Sequence, residues 1–161
     1  MDLKIVEITI TDILFLTQLM NYKQIQDIIH IDDTDENYWD SAFNGWTTDS
    51  DEENYILWQD DTPVGWLKIN GLKNDDIAWI SMLVIAPKFQ HKGLGSYVVG
   101  FACELIKNRG FKSIGIHTTK ENIIAHHCYE KCGFTLTEVG DCTNADGVHR
   151  IGYTFSKKVT E

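Results

Sequence analysis

The stretch Gln90-His91-Lys92-Gly93-Leu94-Gly95 decides the fold of this chain, because it joins an apolar strand to a helix. The residues from Trp79 to Ile85 are apolar enough for a buried strand, and Pro87 stops that strand. Downstream, apolar residues recur at helical spacing, at Leu94, Val98, Ala102 and Leu105. Glycine lets a ligand approach the backbone closely, and the N–H groups of a helix start can point at an anion. The junction therefore predicts a site for phosphate.

Two widespread phosphate motifs do not fit this junction. The Walker loop requires Gly, four residues and then Gly-Lys-Ser/Thr, and no such run occurs in the chain. The dinucleotide fingerprint requires a glycine where this chain has His91. The sequence therefore argues against nucleotide hydrolysis and against binding of a nicotinamide cofactor.

Length and composition predict one globular domain over residues 1–161. Hydrophobic residues make up 43% of the 161 positions, which is enough for a sizeable core. The longest apolar runs are far shorter than a membrane span, and Met1-Asp2-Leu3-Lys4 does not begin a secretory signal. We therefore expect a cytoplasmic protein whose cysteines stay reduced, at positions 103, 128, 132 and 142.

The charge balance favours a cationic partner. The chain has 14 Lys and Arg residues against 24 Asp and Glu residues, a net charge of -10. This charge disfavours nucleic acid and anionic membranes as partners. The acidic residues concentrate in two groups, between positions 27 and 40 and between positions 49 and 53. Each acid taken singly is more typical of a solvated surface, but the two groups together suit a cleft that binds an amine.

The remaining patterns predict a mixture of strands and helices. Strands are expected at Leu3 to Ile8, Tyr55 to Trp58, Val64 to Asn70, Ile77 to Ile85, Lys112 to Thr118, Phe134 to Val139 and His149 to Ser156. Helices are expected at 13–20, 25–29, 94–109 and 122–132. Ile31 to Glu53 is interpreted as an acidic loop whose aromatic side chains form a binding surface, at Tyr38, Trp39, Phe43 and Trp46. This order predicts an α/β or α+β domain with a mixed sheet.

The Gln90 to Gly95 segment resembles the coenzyme A loop of the GNAT acetyltransferases, whose pattern is Gln or Arg, two residues, Gly, one residue, and Gly or Ala. A second signature of that family follows, where Asn122 and Ala125 precede Tyr129-Glu130-Lys131-Cys132-Gly133-Phe134. The resemblance covers residues 55–155. It implies a mixed, mostly antiparallel central sheet of about six to seven strands flanked by about four helices. In the family, a bulge splays the fourth strand from the next one.

The resemblance implies acetyl-CoA as the acetyl donor and assigns it a set of contacts. The backbone from His91 to Gly95 would hold the pyrophosphate, with Lys88 and Lys92 either adding charge or remaining solvated. The backbone of Leu83 to Ile85 would bind the pantetheine arm and polarise the acetyl carbonyl. Asn122 would bond the same arm, cap its helix, or do both. The implied cofactor-binding residues are Leu83, Val84, Ile85, Gln90, His91, Lys92, Gly93, Leu94, Gly95, Ser96, Asn122 and Tyr129.

Two residues are implied as catalytic groups. Tyr129 occupies the place where relatives put a tyrosine hydroxyl near the cofactor sulfur, able to protonate the departing thiolate; the alternative is a core tyrosine with one satisfied hydroxyl. An acceptor ammonium, with a pKa near ~10.4 for a lysine-like amine, must lose a proton before attack. His117 is the candidate base because imidazole ordinarily titrates near neutral pH. A neutral histidine hydrogen-bonded in the sheet is the alternative.

The chain departs from the family pattern at Ser81, where many relatives place an acidic residue. Serine cannot serve as the base, so a carboxylate acting through water, Glu52 or Glu36, is the other candidate. His126-His127-Cys128 and Cys132 lack the two separated pairs that structural zinc sites usually use. We therefore expect no metal site.

Together these features predict an N-acetyltransferase that transfers an acetyl group from acetyl-CoA to a primary amine by direct attack in a ternary complex. The acceptor expected from the charge is a cationic small molecule, such as a polyamine or an aminoglycoside. A protein or peptide amine as acceptor, a longer acyl group and a non-catalytic acyl-CoA sensor stay open as alternatives. Assembly into a homodimer also stays open.

Overall fold

One seven-stranded sheet organises the structure, a computed structural model that describes residues 2–74 and 76–160. Its strands are β1 (Leu3–Glu7), β2 (Glu53–Gln59), β3 (Thr62–Asn70), β4 (Ile77–Ile85), β5 (Ser113–Thr119), β6 (Thr135–Thr143) and β7 (His149–Lys158). They lie in the order β1-β2-β3-β4-β5-β7-β6, and only β4 and β5 are parallel neighbours. The prediction of a mixed, mostly antiparallel sheet is confirmed.

Five α-helices occur within the described residues, one more than the resemblance implied. They are α1 (Ile13–Met20), α2 (Lys23–Ile29), α3 (Glu36–Trp46), α4 (Leu94–Asn108) and α5 (Ile123–Lys131). Short 3₁₀ turns precede α1 and α4, at Ile10–Asp12 and Pro87–Phe89. Across the part of the chain that the structure describes, no helix is long and apolar enough to cross a membrane.

The helices cover opposite faces of the sheet and create two cores. Val98 and Ile106 of α4 pack in one core with Ile114 of β5. Helices α1, α2 and α3 contribute to the other core, which contains Trp66 of β3. Because successive side chains of a strand point to opposite faces, β2 supplies both cores, with Ile56 in one and Leu57 in the other. The sheet therefore separates an α4 face from an α1–α3 face.

Helix α3 corrects the prediction of an acidic loop between Ile31 and Glu53. The carboxylate of Asp35 accepts the backbone N–H of Tyr38 at 2.9 Å, which caps the helix start. Trp39 is only 4% exposed, and its ring centroid lies 5.6 Å from that of Trp66. The helical spacing of the aromatic residues turns most of them into the core, so the prediction that they form a binding surface is wrong for Trp39.

Strands β4 and β5 separate after four paired residues on each strand. Residues 77–80 of β4 lie beside residues 113–116 of β5, and their pairing stops there. On the other side of β4, Lys68 lies opposite Met82 and Ile69 opposite Ile80. Ser81 is therefore an extra residue, which makes a β-bulge that bends the strand. The bend opens a gap in the middle of the sheet, as the family resemblance implied.

Candidate active site

A cleft of about 880 Å³ lies at the gap between β4 and β5. Its wall includes residues from both strands, from α2, from the starts of α4 and α5, and from β6 and β7. Among the predicted site residues, Lys92 lies outside this wall. The others line it: Leu83, Val84, Ile85, Gln90, His91, Gly93, Leu94, Gly95, Ser96, His117, Asn122 and Tyr129. Segments far apart in the sequence therefore meet around one space.

The loop before α4 has the backbone shape of an anion site. His91 and Gly93 adopt left-handed conformations, with φ of 61° and 82°. Gly93 is the N-cap of α4 and offers no side chain, so the first N–H groups of the helix receive no side-chain cap. Turned backbone segments of this kind direct N–H groups at a common point, and the helix dipole adds to their attraction for phosphate. The loop fits the pyrophosphate of coenzyme A.

Gln90 holds this loop to the end of β4. Its side-chain amide donates to the backbone carbonyl of Ile85 at 2.8 Å. Since the amide is used in this contact, Gln90 supports the loop conformation from within the protein. Lys88 and Lys92 are exposed, with their ammonium nitrogens 5.5 and 5.7 Å from the centre of the Phe89 ring. Both lysines place positive charge beside the loop.

The backbone of β4 offers polar groups to the cleft at two of the three predicted residues. Ala86 donates its N–H to the carbonyl of Val64 at 2.8 Å, which sets the hydrogen-bond register with β3. Bonded and non-bonded residues alternate along an antiparallel ladder. Val84 therefore bonds to β3, while Leu83 and Ile85 direct their backbone groups away from β3 and into the gap. The Leu83 N–H is available for a ligand carbonyl or amide.

Tyr129 is a largely buried residue at the wall of the cleft. The residue is 8% exposed, and its ring lies between Phe134 and Phe155, with centroids 6.3 and 5.9 Å away. Within residues 2–74 and 76–160, no hydrogen-bond partner of this hydroxyl is found. Burial raises the pKa of Tyr129 above its ordinary value, with a smaller contribution from Cys128. Tyr129 is therefore a phenol that keeps its proton and has it free to donate.

Asn122 is the N-cap of α5. Its side-chain oxygen accepts the N–H of Ala125 at 3.4 Å. The residue also lines the cleft, so its amide nitrogen lies near the same space as Tyr129. The capping role and a ligand contact are compatible, because they use different atoms of the side chain.

His117 extends from β5 towards the α1–α3 face of the sheet. Its ring is stacked on Trp79, with centroids 4.4 Å apart and an angle of 16° between the planes. The Nδ1 atom lies 2.9 Å from the Thr154 hydroxyl. Gly115 leaves room for the indole, since a Cβ on it would lie 2.2 Å from Trp79. Trp79 thus contacts one face of the ring and Thr154 contacts Nδ1. The remaining nitrogen, Nε2, is the atom available for a proton transfer.

The carboxylates considered as alternative bases lie elsewhere. Glu52 forms an ion pair with Lys68 at 3.3 Å, and Glu36 occupies the exposed first turn of α3. Neither residue lines the cleft, whereas Ser81 does. The structure thus brings His117 to the gap and leaves Glu52 and Glu36 outside it.

Several residues of the cleft were missed from the sequence. Glu138 of β6 and Thr154 of β7 line the wall beside His117, and Ile25, Ile28 and Ile29 of α2 line it from above the sheet. The isoleucine spacing predicted a helix but not what that helix covers. Glu138 and Thr154 had no sequence signal, because the order of β5, β7 and β6 in the sheet is not legible from the chain.

The histidine and cysteine run of α5 serves packing. His126 is 6% exposed, and its Nε2 lies 2.9 Å from the Thr119 carbonyl. The Cys128 sulfur lies 3.7 Å from the Ser96 hydroxyl, at the start of α4. All four cysteines are free thiols. Among the described residues, no group of three or more His, Cys, Asp or Glu side chains is placed to hold a metal ion.

Comparisons with known proteins agree with this geometry. The acetyltransferase (GNAT) family model matches residues 18–134. A streptothricin acetyltransferase of Escherichia coli is 33% identical over 90 residues, which are 55% of this chain and 51% of that protein. An uncharacterized N-acetyltransferase of Methanocaldococcus jannaschii is 25% identical over 107 residues, 63% of this chain and 47% of that protein. The chain spans about half the length of these curated relatives.

Solved structures share the whole fold at low sequence identity. A spermidine N-acetyltransferase from Vibrio cholerae, in complex with CoA and spermine, has a TM-score of 0.84 at 20% identity, over 97% of this chain and 95% of that one. An acetyltransferase from Thermus thermophilus has a TM-score of 0.82 at 16% identity, over 98% and 97% of the two chains. The family model covers most of the chain, including the phosphate loop and the Tyr129 helix. The chain therefore belongs to the acetyltransferase (GNAT) family.

Proposed function

We propose that this chain is an acetyl-CoA-dependent N-acetyltransferase whose acceptor is a primary amine of a cationic small molecule, of the polyamine or aminoglycoside kind. The observation that carries the proposal is the position of Tyr129, a largely buried residue whose pKa is raised by burial, at the wall of a cleft that also contains the phosphate loop. The names of two similar proteins, a spermidine and a streptothricin acetyltransferase, support an amine acceptor.

The chain's own groups suit acetyl-CoA in three places. Main-chain N–H groups from His91 to Ser96 would bind the pyrophosphate, and Asn122 would contact the pantetheine arm. The Leu83 N–H would donate to the acetyl carbonyl and stabilise negative charge on its oxygen. When bound, acetyl-CoA would supply an activated thioester, and these residues would orient it in the gap between β4 and β5.

Two proton transfers are assigned to side chains. His117 would accept a proton from the acceptor ammonium, directly or through one water, so that the neutral amine can attack the acetyl carbon. The new C–N bond would form as the C–S bond breaks, and Tyr129 would donate its proton to the departing thiolate. The attacking nitrogen loses its second proton as the amide forms, and this proton would restore the Tyr129 hydroxyl. The proton that His117 received from the ammonium returns to solvent, so the transfer releases one proton overall.

Direct attack is favoured over a covalent relay through cysteine. Cys128 is the thiol beside the phosphate loop. Burial raises the pKa of Cys128 above its ordinary value, despite the hydrogen bond with Ser96. A thiol that holds its proton is a poor nucleophile. The acetyl group would therefore pass to the amine in one step.

The proposal also covers the domain organisation, the location and the partners of the protein. Residues 1–161 would act as a single domain, because both cores share one sheet. A cytoplasmic location is supported by the four free thiols, and the net charge of -10 favours neither nucleic acid nor an anionic membrane as partner. A small-molecule amine would be the only partner that the reaction requires.

The decisive experiment is release of free thiol from acetyl-CoA in the presence of a panel of amines. The panel contains polyamines, aminoglycosides, monoamines and lysine-containing peptides. We expect release with the cationic small molecules. Release with peptides alone would instead favour the protein or peptide acetyltransferase, and coenzyme binding without release from any amine would favour the acyl-CoA sensor. Replacement of acetyl-CoA by longer acyl donors tests the acyl-chain preference.

A further inference from the structure

We propose that Glu138 is a specificity-determining residue, which binds a second positive charge of the acceptor at a distance from the reacting amine. This inference rests on the proposed function and adds to it the residue that would bind the second cationic nitrogen of such an acceptor. Glu138 lies on β6, outside the two acidic groups at positions 27–40 and 49–53.

Glu138 belongs to a row of side chains that crosses three strands. Thr154 of β7 lies directly opposite His117 of β5, and Glu138 of β6 lies directly opposite Thr154. Residues directly opposite each other in antiparallel strands share a face of the sheet. All three residues line the cleft, and Thr154 contacts His117 Nδ1 at 2.9 Å. The row therefore leads from the gap to the outer strand along one face.

The charge of Glu138 is not used within the protein. Among the described residues, no Lys, Arg or His side chain forms an ion pair with it. By contrast, the nearby Arg150 is held by the carboxylate of Asp146, and Asp141 lies 3.6 Å from His149. Glu138 is thus the carboxylate on this row that is free to bind a cation from solution.

Apolar residues of the cleft complement its polar row. Ile28 and Ile29 of α2 line the same cleft as the row. An alkyl chain that carries a charge at each end matches a cleft that has both charged and apolar walls.

The sheet also sets the length of such an acceptor. Neighbouring strands lie about 4.8 Å apart, so His117 and Glu138, two strands apart, are separated by roughly 10 Å at their backbones. A diamine whose nitrogens are separated by several methylene groups therefore reaches both residues, whereas a monoamine of the same length reaches one of them.

The test compares Glu138→Gln with wild type on diaminoalkanes of increasing length and on monoamines of matched length, with acetyl-CoA as donor. We expect kcat/KM for the preferred diamines to fall about fivefold, the loss of one partly exposed ion pair. For monoamines kcat/KM stays within about twofold, because the charge contacts no part of them. Glu104→Gln is the matched control, since Glu104 is exposed on α4 outside the cleft.

Each outcome decides the inference separately from the proposed function. Equal losses for monoamines and diamines, or no loss for either, would overturn the role of Glu138 while leaving the acetyltransferase intact. If wild type acetylates no amine, the proposed function fails, and calorimetric binding of the diamines to the CoA-bound protein then tests Glu138 alone. Weaker binding to Glu138→Gln than to wild type would support the inference, and equal binding would overturn it.

Discussion

The indole of Trp79 and the imidazole of His117 are stacked, with ring centroids 4.4 Å apart. Trp79 lies on β4 and His117 on β5, at the point where the two strands begin to separate. The stack, together with the Thr154 hydroxyl, fixes the orientation of the imidazole before any ligand binds. Preorganised groups lose little entropy on reaction, which suits His117 to the role of base.

Replacement of His117 tests that role through turnover. In His117→Gln, we expect kcat/KM at neutral pH to fall about a hundredfold, the usual worth of a general base. Steady-state kinetics with one amine and saturating acetyl-CoA measure the loss.

Two further variants control the His117 experiment. Thr154→Val removes the contact with Nδ1, and we expect a loss of about fivefold in kcat/KM, because the base is present but less well oriented. His127→Gln changes an exposed histidine of α5 outside the cleft and should leave kcat/KM unchanged. Equal kcat/KM in His117→Gln and wild type would assign the proton transfer to another group.

Replacement of Tyr129 by Phe should separate turnover from binding. We expect kcat to fall about a hundredfold, because the departing thiolate loses its proton donor. The affinity for CoA should stay within about twofold, since the hydroxyl has no partner to lose and the ring remains in place. Burial raises the pKa of Tyr129, so the phenol stays protonated and wild-type activity should not fall through tyrosine ionisation near the ordinary value of 10.0.

The matched control for Tyr129 is Tyr97→Phe. Tyr97 is an exposed tyrosine of α4, and its hydroxyl lies 3.5 Å from the Leu3 carbonyl, outside the cleft. Stopped-flow turnover and calorimetric titration with CoA should give wild-type values for this variant. Equal turnover by Tyr129→Phe and wild type would remove Tyr129 from the chemistry.

Gly93→Ala should weaken binding of the coenzyme. Gly93 has a φ of 82°, a left-handed conformation that costs alanine about 1 kcal/mol. Relief of that strain would turn the N–H groups that follow, and loss of one charge-assisted hydrogen bond to phosphate corresponds to about tenfold in affinity. Titration of each protein with CoA measures the change.

Gly100→Ala provides a control on the same helix. Gly100 lies within α4, and a Cβ built on it meets nothing within 4 Å. Alanine is the better helix former, so this variant should gain about 0.5–1 kcal/mol in the free energy of unfolding while binding CoA as wild type does. Unchanged CoA affinity in Gly93→Ala would show that the loop conformation does not determine phosphate binding.

The stability of the fold should depend on pH through Glu53. Arg109 donates two hydrogen bonds to this carboxylate, at 2.5 and 2.6 Å, and Tyr55 donates another. Burial opposes ionisation, but these hydrogen bonds and the charge of Arg109 prevail, so the pKa of Glu53 is lowered from its ordinary value of 4.5. The ionised group therefore adds stability above pH 4.5, which is lost as the pH falls through the lowered value.

Glu53→Gln should consequently be less stable than wild type by about 1 kcal/mol at neutral pH, the size expected for a partly exposed ion pair. The difference should shrink as the pH falls below 4.5, because the wild-type carboxylate is then protonated as well. Urea unfolding at a series of pH values measures it, with Glu104→Gln as the control. A stability difference that is constant with pH would show that Glu53 acts through packing alone.

Local patterns predicted most elements of the fold. The apolar run before Pro87 and the helical spacing after Gly93 correspond to β4 and α4, and the loop between them has the expected left-handed glycine. Helix α3 was not predicted, because the acidic composition around Trp39 and Trp46 masked their helical spacing. Helix α3 is stabilised by the packing of those rings against the core, and amino-acid composition does not predict such contacts.

The sequence by itself determined the proposed donor side of this protein, because a phosphate loop is made of consecutive residues whose conformations follow from Gly93 and the helix after it. Only the tertiary structure decided the proposed acceptor side. His117, Thr154 and Glu138 come from three separate parts of the chain, and they form one row because β7 lies between β5 and β6. Strand order arises from long-range packing, which no local pattern encodes, so the row becomes visible only in the folded sheet.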